Sequence, residues 1–243
     1  IKDGTVFGYR GVMNYFGNVV LDAELTMNTE ERIVNSMGGK ITVQGANLQS
    51  DMYGVFLFNS FYTYDLANAD NANTNDPRNI SAEFVMSSGS INASEYTLGG
   101  NNLYSAGTKA TISGGSLVAD TGKTGVYWPM EGTLDISGSA YIEGGTAIEA
   151  KMGKINISDN AQIIGTGEYN EDEPENGGAS PEGSALLLSS QMYGNYNVQY
   201  RASNELTVNI TGGTLTSQKG NAVTVYNTEQ QSGGCTQSTT VSV

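Results

Sequence analysis

The chain has 243 residues, of which only 15% are charged, with 32 glycines, 4 prolines, one cysteine and no histidine. Its formal net charge of −14, from 25 acidic and 11 basic residues, repels a nucleic-acid backbone or an anionic membrane surface. The missing histidine excludes Ser-His-Asp and Cys-His catalysis and histidine-based zinc sites. Low charge with abundant Gly, Ser, Thr and Asn suits short strands joined by tight turns and disfavours helix interiors. No apolar stretch of about 18 residues is present, so no membrane-spanning helix is expected.

Residues 1–38 read as a degenerate coil or cap. Within them Val19-Val20-Leu21-Asp22-Ala23-Glu24-Leu25 predicts a pair of short strands. Met27–Val34 predicts a turn of helix, capped by Asn28 or Thr29. Terminal repeats of a solenoid shield the open end of the core, which accounts for irregularity there.

From residue 39 to 227 the chain repeats itself. Ala110-Thr111-Ile112-Ser113-Gly114-Gly115, Leu134-Asp135-Ile136-Ser137-Gly138-Ser139, Ile155-Asn156-Ile157-Ser158-Asp159-Asn160 and Val208-Asn209-Ile210-Thr211-Gly212-Gly213 share one pattern. Apolar residues stand two apart, then comes Ser or Thr, then a pair of turn formers. A marker residue recurs at Val43, Met86, Ile112, Ile136, Ile157 and Ile210. The shorter intervals fit one coil of two or three strands, and the long ones carry insertions.

A further strand follows a small residue in each coil, as in Gly54-Val55-Phe56-Leu57, Gly125-Val126-Tyr127-Trp128, Ala147-Ile148-Glu149-Ala150, Ala185-Leu186-Leu187-Leu188 and Ala222-Val223-Thr224-Val225. A short strand sits between the two, for example Ser116-Leu117-Val118 or Thr214-Leu215-Thr216. Alternation places Val55, Val126, Ile148, Leu186 and Val223 in one inward stack, with Trp128 above Ala150. The expected fold is therefore all-β: a single-stranded right-handed parallel β-helix, or β-solenoid, forming one domain over 1–243.

Three insertions break the rhythm: Ser60–Asn79, Thr166–Gly183 and Ser190–Asn204. Residues 228–243 read as the end of the last coil and a polar tail, with the single thiol of Cys235 incidental. The start at Ile1 and the tail Thr236–Val243 read as cuts from a longer protein, so the missing signal peptide says nothing about secretion.

The chemistry-bearing residues are sparse. Gly99-Gly100 and Gly144-Gly145 are turn glycines of the repeat, not a phosphate loop. The sequons at Asn79, Asn92, Asn156 and Asn209 arise from the repeat and need no glycan. A glycoside hydrolase needs two carboxylates roughly 5–9.5 Å apart beside a groove. The outward acids Asp120, Glu143 and Glu149 are scattered singly and read as solvated, and Lys123, Lys151, Lys154 and Arg201 form no lyase pattern. No catalytic residue is assigned.

Glu171, Asp172 and Glu173, in the densest acidic run, are candidate calcium ligands without EF-hand spacing; the alternative is a solvated loop. No other cofactor is implied. The aromatic signal is stronger. Phe56, Tyr127 and Leu187 point outward on equivalent strands, and Tyr193, Tyr196 and Tyr200 lie in a polar insertion. Tyr127, Trp128, Tyr193, Tyr196 and Tyr200 form the candidate ligand-binding set, suited to stacking on sugars or to protein contact. The competing expectation is that the insertions cover these residues and that Trp128 is core.

Val126-Tyr127-Trp128-Pro129, Gly132-Thr133-Leu134-Asp135-Ile136-Ser137-Gly138 and Gly145-Thr146-Ala147-Ile148 resemble repeats of large surface proteins from gut Gram-positive bacteria. Gly212-Gly213-Thr214-Leu215-Thr216 and Gly220-Asn221-Ala222-Val223 fit the same style. The similarity covers Thr108–Tyr226 and, more loosely, Gly38–Gly107. It implies a pectate-lyase-like right-handed β-helix in an extracellular or cell-wall-attached protein. The Gly-His-Gly motif of that superfamily's enzymes is missing. The expected role is a non-catalytic surface module that binds glycan or surface protein or acts as a spacer. The alternative is a polysaccharide-active lyase or hydrolase.

Overall fold

A computed structural model describes residues 1–58, 81–100, 107–130, 132–170, 179, 182–189, 205–226 and 238–243, without the side chains of 205, 238 and 239. Every regular element among them is a strand, and all belong to one 20-stranded sheet whose pairings are parallel. The coil has three faces. The first contains Lys109–Ile112, Thr133–Ile136 and Gly153–Ile157; the second Ser116–Ala119, Tyr141–Gly144 and Gln162–Gly165; the third Thr124–Trp128, Thr146–Ala150 and Leu186–Ser189. Each strand pairs with its equivalent about 4.8 Å away in the next coil, which is the parallel β-helix the repeat predicts.

Three inward columns hold the coils together. On the first face Leu21, Val43, Met86, Ile112, Ile136, Ile157 and Ile210 stack in unbroken register. On the second, Val6, Met27, Leu48, Ile91, Leu117, Ile142, Ile163 and Leu215 do the same. The third face stacks Val12, Val34, Val55, Leu98, Val126, Ile148, Leu186 and Val223. Away from the ends these side chains are fully buried, each worth about 1.5–3 kcal/mol of transfer free energy. Leu98, in a strand of three residues, fills the place between Val55 and Val126 that the repeat leaves blank.

Trp128 lies in the inward stack above Ala150 and is fully buried. The pairing of Leu98 with Val126 puts Gly100 level with it on the other side. Ala150 contributes only a methyl group beside the ring, and the space over Gly100 is filled by the buried Met130 side chain. The turn formers of the repeat also have a backbone reason. Gly115, Gly138, Asp159 and Gly213 have φ of 84°, 58°, 57° and 87°, the left-handed region in which Gly and Asp are tolerated best.

Two expectations are corrected. Met27–Val34 is not helical: it lies inside the strand Glu24–Met37, which pairs in parallel with Asp3–Tyr15 and with Tyr53–Phe58. Burial there alternates, with Leu25, Met27 and Ile33 inside, so the two-residue period outweighs the cap signal. The polar tail also carries structure. Ser238–Ser242 is a first-face strand on Glu205–Ile210, with Val241 on Val208.

The insertions fall at two corners. The intervals after Phe58 and after Ser189 both open where the third face passes to the first, while the interval after Gly165 lies between the second and third faces.

Candidate functional site

The outer side of the third face is where the aromatic residues converge. Outward positions here are Phe56, Tyr127, Glu149 and Leu187, because each follows an inward Val, Ile or Leu by one residue. They point outward yet are not exposed, so they offer no open ligand surface: Phe56 is 5% and Tyr127 3% exposed, and Leu187 is fully buried.

Around Phe56 the rings form a continuous cluster. Tyr53 meets Phe56 edge-on at 5.2 Å, Phe58 stacks on Phe56 at 5.7 Å, and Tyr96 lies 5.5 Å from Phe56 and 5.4 Å from Tyr127. The Arg32 guanidinium sits 4.5 Å above the Phe56 ring. Burial, with Tyr53 and Glu95 nearby, pushes the Tyr96 hydroxyl up to about 12.

The same face holds charge. Glu149 lies in the strand Thr146–Ala150 and Lys151 directly follows it, two residues on; both are fully buried. Lys151 Nζ lies 2.9 Å from Glu149 Oε1. The Ser189 hydroxyl, one coil on, donates to Glu149 Oε1 at 3.0 Å and accepts from Lys151 Nζ at 3.2 Å. Lys151 Nζ also stands 5.9 Å from the Tyr127 ring centre. This corrects the reading of Glu149 as a solvated position and of Lys151 as patternless. The arrangement neutralises two buried charges, and full burial keeps both away from a solvent-borne substrate.

Another buried carboxyl, Glu182, precedes the strand Leu186–Ser189. It is 5% exposed, and its Oε1 has no hydrogen-bond partner. Burial is the main cause that holds its carboxyl above the usual range.

The other sequence-derived candidates are dispersed. Glu143 lies on the second face, where it accepts a bond from the Tyr141 hydroxyl and helps push that group up to about 12. Lys123 pairs with Glu95 at 2.9 Å, Asp120 is exposed at a corner, and Lys154 is exposed on the first face. Trp128 points into the core, so it is no ligand platform. Tyr193, Tyr196, Tyr200, Arg201, Glu171, Asp172 and Glu173 lie outside the described residues. Among the described residues no group of three or more acidic or thiol side chains is placed to hold a metal ion.

Sequence reasoning missed the pairing of Glu149, Lys151 and Ser189. A signal for it existed: their column also carries Phe56, Tyr127 and Leu187, and apolar residues at outward positions mark a covered face. Compared with protein families, curated proteins and solved structures, the chain matches none.

Proposed function

We propose that this chain is a non-catalytic extracellular surface module, a β-helical spacer that presents ligand-binding segments for glycan or protein. One observation supports this reading above the others. The coils stack without a break in their inward columns, while two of the long intervals leave the coil at the same corner. From Val19 the first-face ladder rises through Ile41, Phe84, Ala110, Leu134, Ile155 and Val208 to Val241. At ~4.8 Å per step the module spans roughly 34 Å. The tyrosines Tyr193, Tyr196 and Tyr200 belong to one of those intervals and suit the ligand-binding part of the role. The extracellular setting rests on the resemblance of the repeats to bacterial surface proteins.

The test is a screen of the 243-residue chain against arrays of defined glycans and purified surface proteins, with millimolar ligand as the upper limit. Saturable binding is expected. Its absence leaves only the spacer role. Release of unsaturated or reducing-end products from acidic polysaccharides with calcium present replaces the proposal with the polysaccharide-active alternative.

A further inference from the structure

The described part of the molecule has an unassigned recess that the aromatic cluster does not line, although its Glu30 and Asp51 stand two residues before Arg32 and Tyr53 of that cluster. It is a depression of about 340 Å³ at the N-terminal end of the second face, where that face turns to the third. Phe7 forms one wall; Asn28, Gln49, Glu30 and Asp51 supply the polar lining. No Lys or Arg lines it.

The register explains how these residues meet. Phe7, Asn28, Gln49 and Asn92 occupy one outward column, each about 4.8 Å from the next. The wall is tied by the backbone: the Asp51 N–H donates to the Thr29 carbonyl at 2.9 Å, and the Thr29 hydroxyl donates to the Gln49 carbonyl at 3.4 Å.

Phe7 is 75% exposed. Its slot carries amides in the following coils, so the fold asks for no aromatic ring there. An exposed ring beside amides and carboxylates has the chemistry of a sugar site. The apolar face of a pyranose stacks on the ring, its vicinal hydroxyls donate to a carboxylate, and the amides both donate and accept. The volume sits at the low end of the ~300–1,000 Å³ range of small-ligand pockets.

We infer that this recess binds a neutral pyranose unit of a glycan, stacked on Phe7 and hydrogen-bonded by Asp51, Glu30, Asn28 and Gln49. The two carboxylates and the absence of a lining cation disfavour uronic acids. The inference rests on the glycan-binding part of the proposed function but places the site on residues of the coil itself.

The experiment is saturation-transfer NMR and calorimetry on the full chain. The probes are neutral gluco-, galacto-, manno- and N-acetylhexosamine oligosaccharides, with oligogalacturonate as the anionic comparison. At least one neutral probe is expected to bind, with transfer onto its ring protons, and to bind more tightly than the uronate. Phe7→Ala and Asp51→Asn are each expected to weaken that binding about tenfold. Both side chains are exposed, so the melting temperature should hold, and two independent variants guard against a folding defect in either.

Binding that survives both substitutions but disappears in a Tyr193→Ala/Tyr196→Ala variant overturns the inference and leaves the glycan-binding reading standing. Failure of every neutral sugar at millimolar concentration overturns the inference and returns the molecule to a spacer or protein-binding role.

Discussion

Lys151→Met tests whether the third face is closed. The substitution keeps the unbranched stem that runs toward Tyr127 but removes the ammonium 2.9 Å from Glu149. Glu149 is then left fully buried, with the Ser189 hydroxyl still donating to it. Removing one partner of a buried pair ordinarily costs about 3–5 kcal/mol. For a chain of this size that corresponds to a fall in melting temperature of about 6–20 °C.

Glu149→Leu should cost a similar amount, because it removes the carboxylate that neutralises the buried ammonium. The double variant Glu149→Leu/Lys151→Met removes both charges and should recover most of the loss, or exceed the parent by as much as about 1–4 kcal/mol. The assay is urea denaturation of the parent, both single variants and the double variant, read as a double-mutant cycle. A single-variant cost below about 1 kcal/mol, the value of a solvated surface pair, would refute the reasoning and show the face open to water.

Trp128→Ala should cost about 3–5 kcal/mol by urea denaturation, since a fully buried ring system is removed from the core; a loss under about 1 kcal/mol counts against core packing. Glu182→Gln should stabilise the chain at neutral pH. Burial raises the folded carboxyl above its ordinary value of 4.5, so folding favours the protonated form below that value, and this contribution is lost as pH rises through the folded value. The variant's advantage in urea midpoint should therefore grow from acid to neutral pH; an advantage independent of pH contradicts this assignment.

Much of the fold was legible because the repeat exposes its own period. Val43, Met86, Ile112, Ile136, Ile157 and Ile210 stand before Ser or Thr in most coils, and the ladder pairs them in that order. The third-face strand of the coil marked by Met86 escaped notice because Leu98 is followed by Gly99-Gly100, which show no alternation. The first full coil was legible only as a degenerate one, and its Met27–Val34 stretch as helix, because Glu24, Glu30, Glu31 and Arg32 interrupt the apolar pattern. In the structure Glu31 is held by Arg10, whose Nε lies 2.5 Å away, and Arg32 lies over Phe56.

The site was less legible. Ile148-Glu149-Ala150-Lys151 has the same inside–outside alternation as a strand with one wet face, and Ser189, which binds both charges, is a full coil away. Phe7 lies in a segment that reads as a worn repeat, so its ring drew no attention.

The stacking geometry also limits where ligand chemistry can sit. In a parallel coil, equivalent side chains meet every ~4.8 Å, so a column of like charges is self-repelling. The first face resolves this by alternation and by amides. Lys40 pairs with Glu83 at 2.9 Å, Lys109 follows in the next coil, and Asp135, Asn156 and Asn209 form a hydrogen-bonded ladder. Those groups largely satisfy one another. The third face resolves it by closure around a neutralised pair. The recess beside Phe7 differs from both: its two carboxylates come from corner positions outside the columns, and its ring stacks on no ring of its own coil. A site that is open and incompletely satisfied by its own protein is where an external hydrogen-bonding ligand gains most. Ligand contact on the described coil is therefore expected at that corner, whose wall is tied by the Asp51 N–H and the Thr29 hydroxyl.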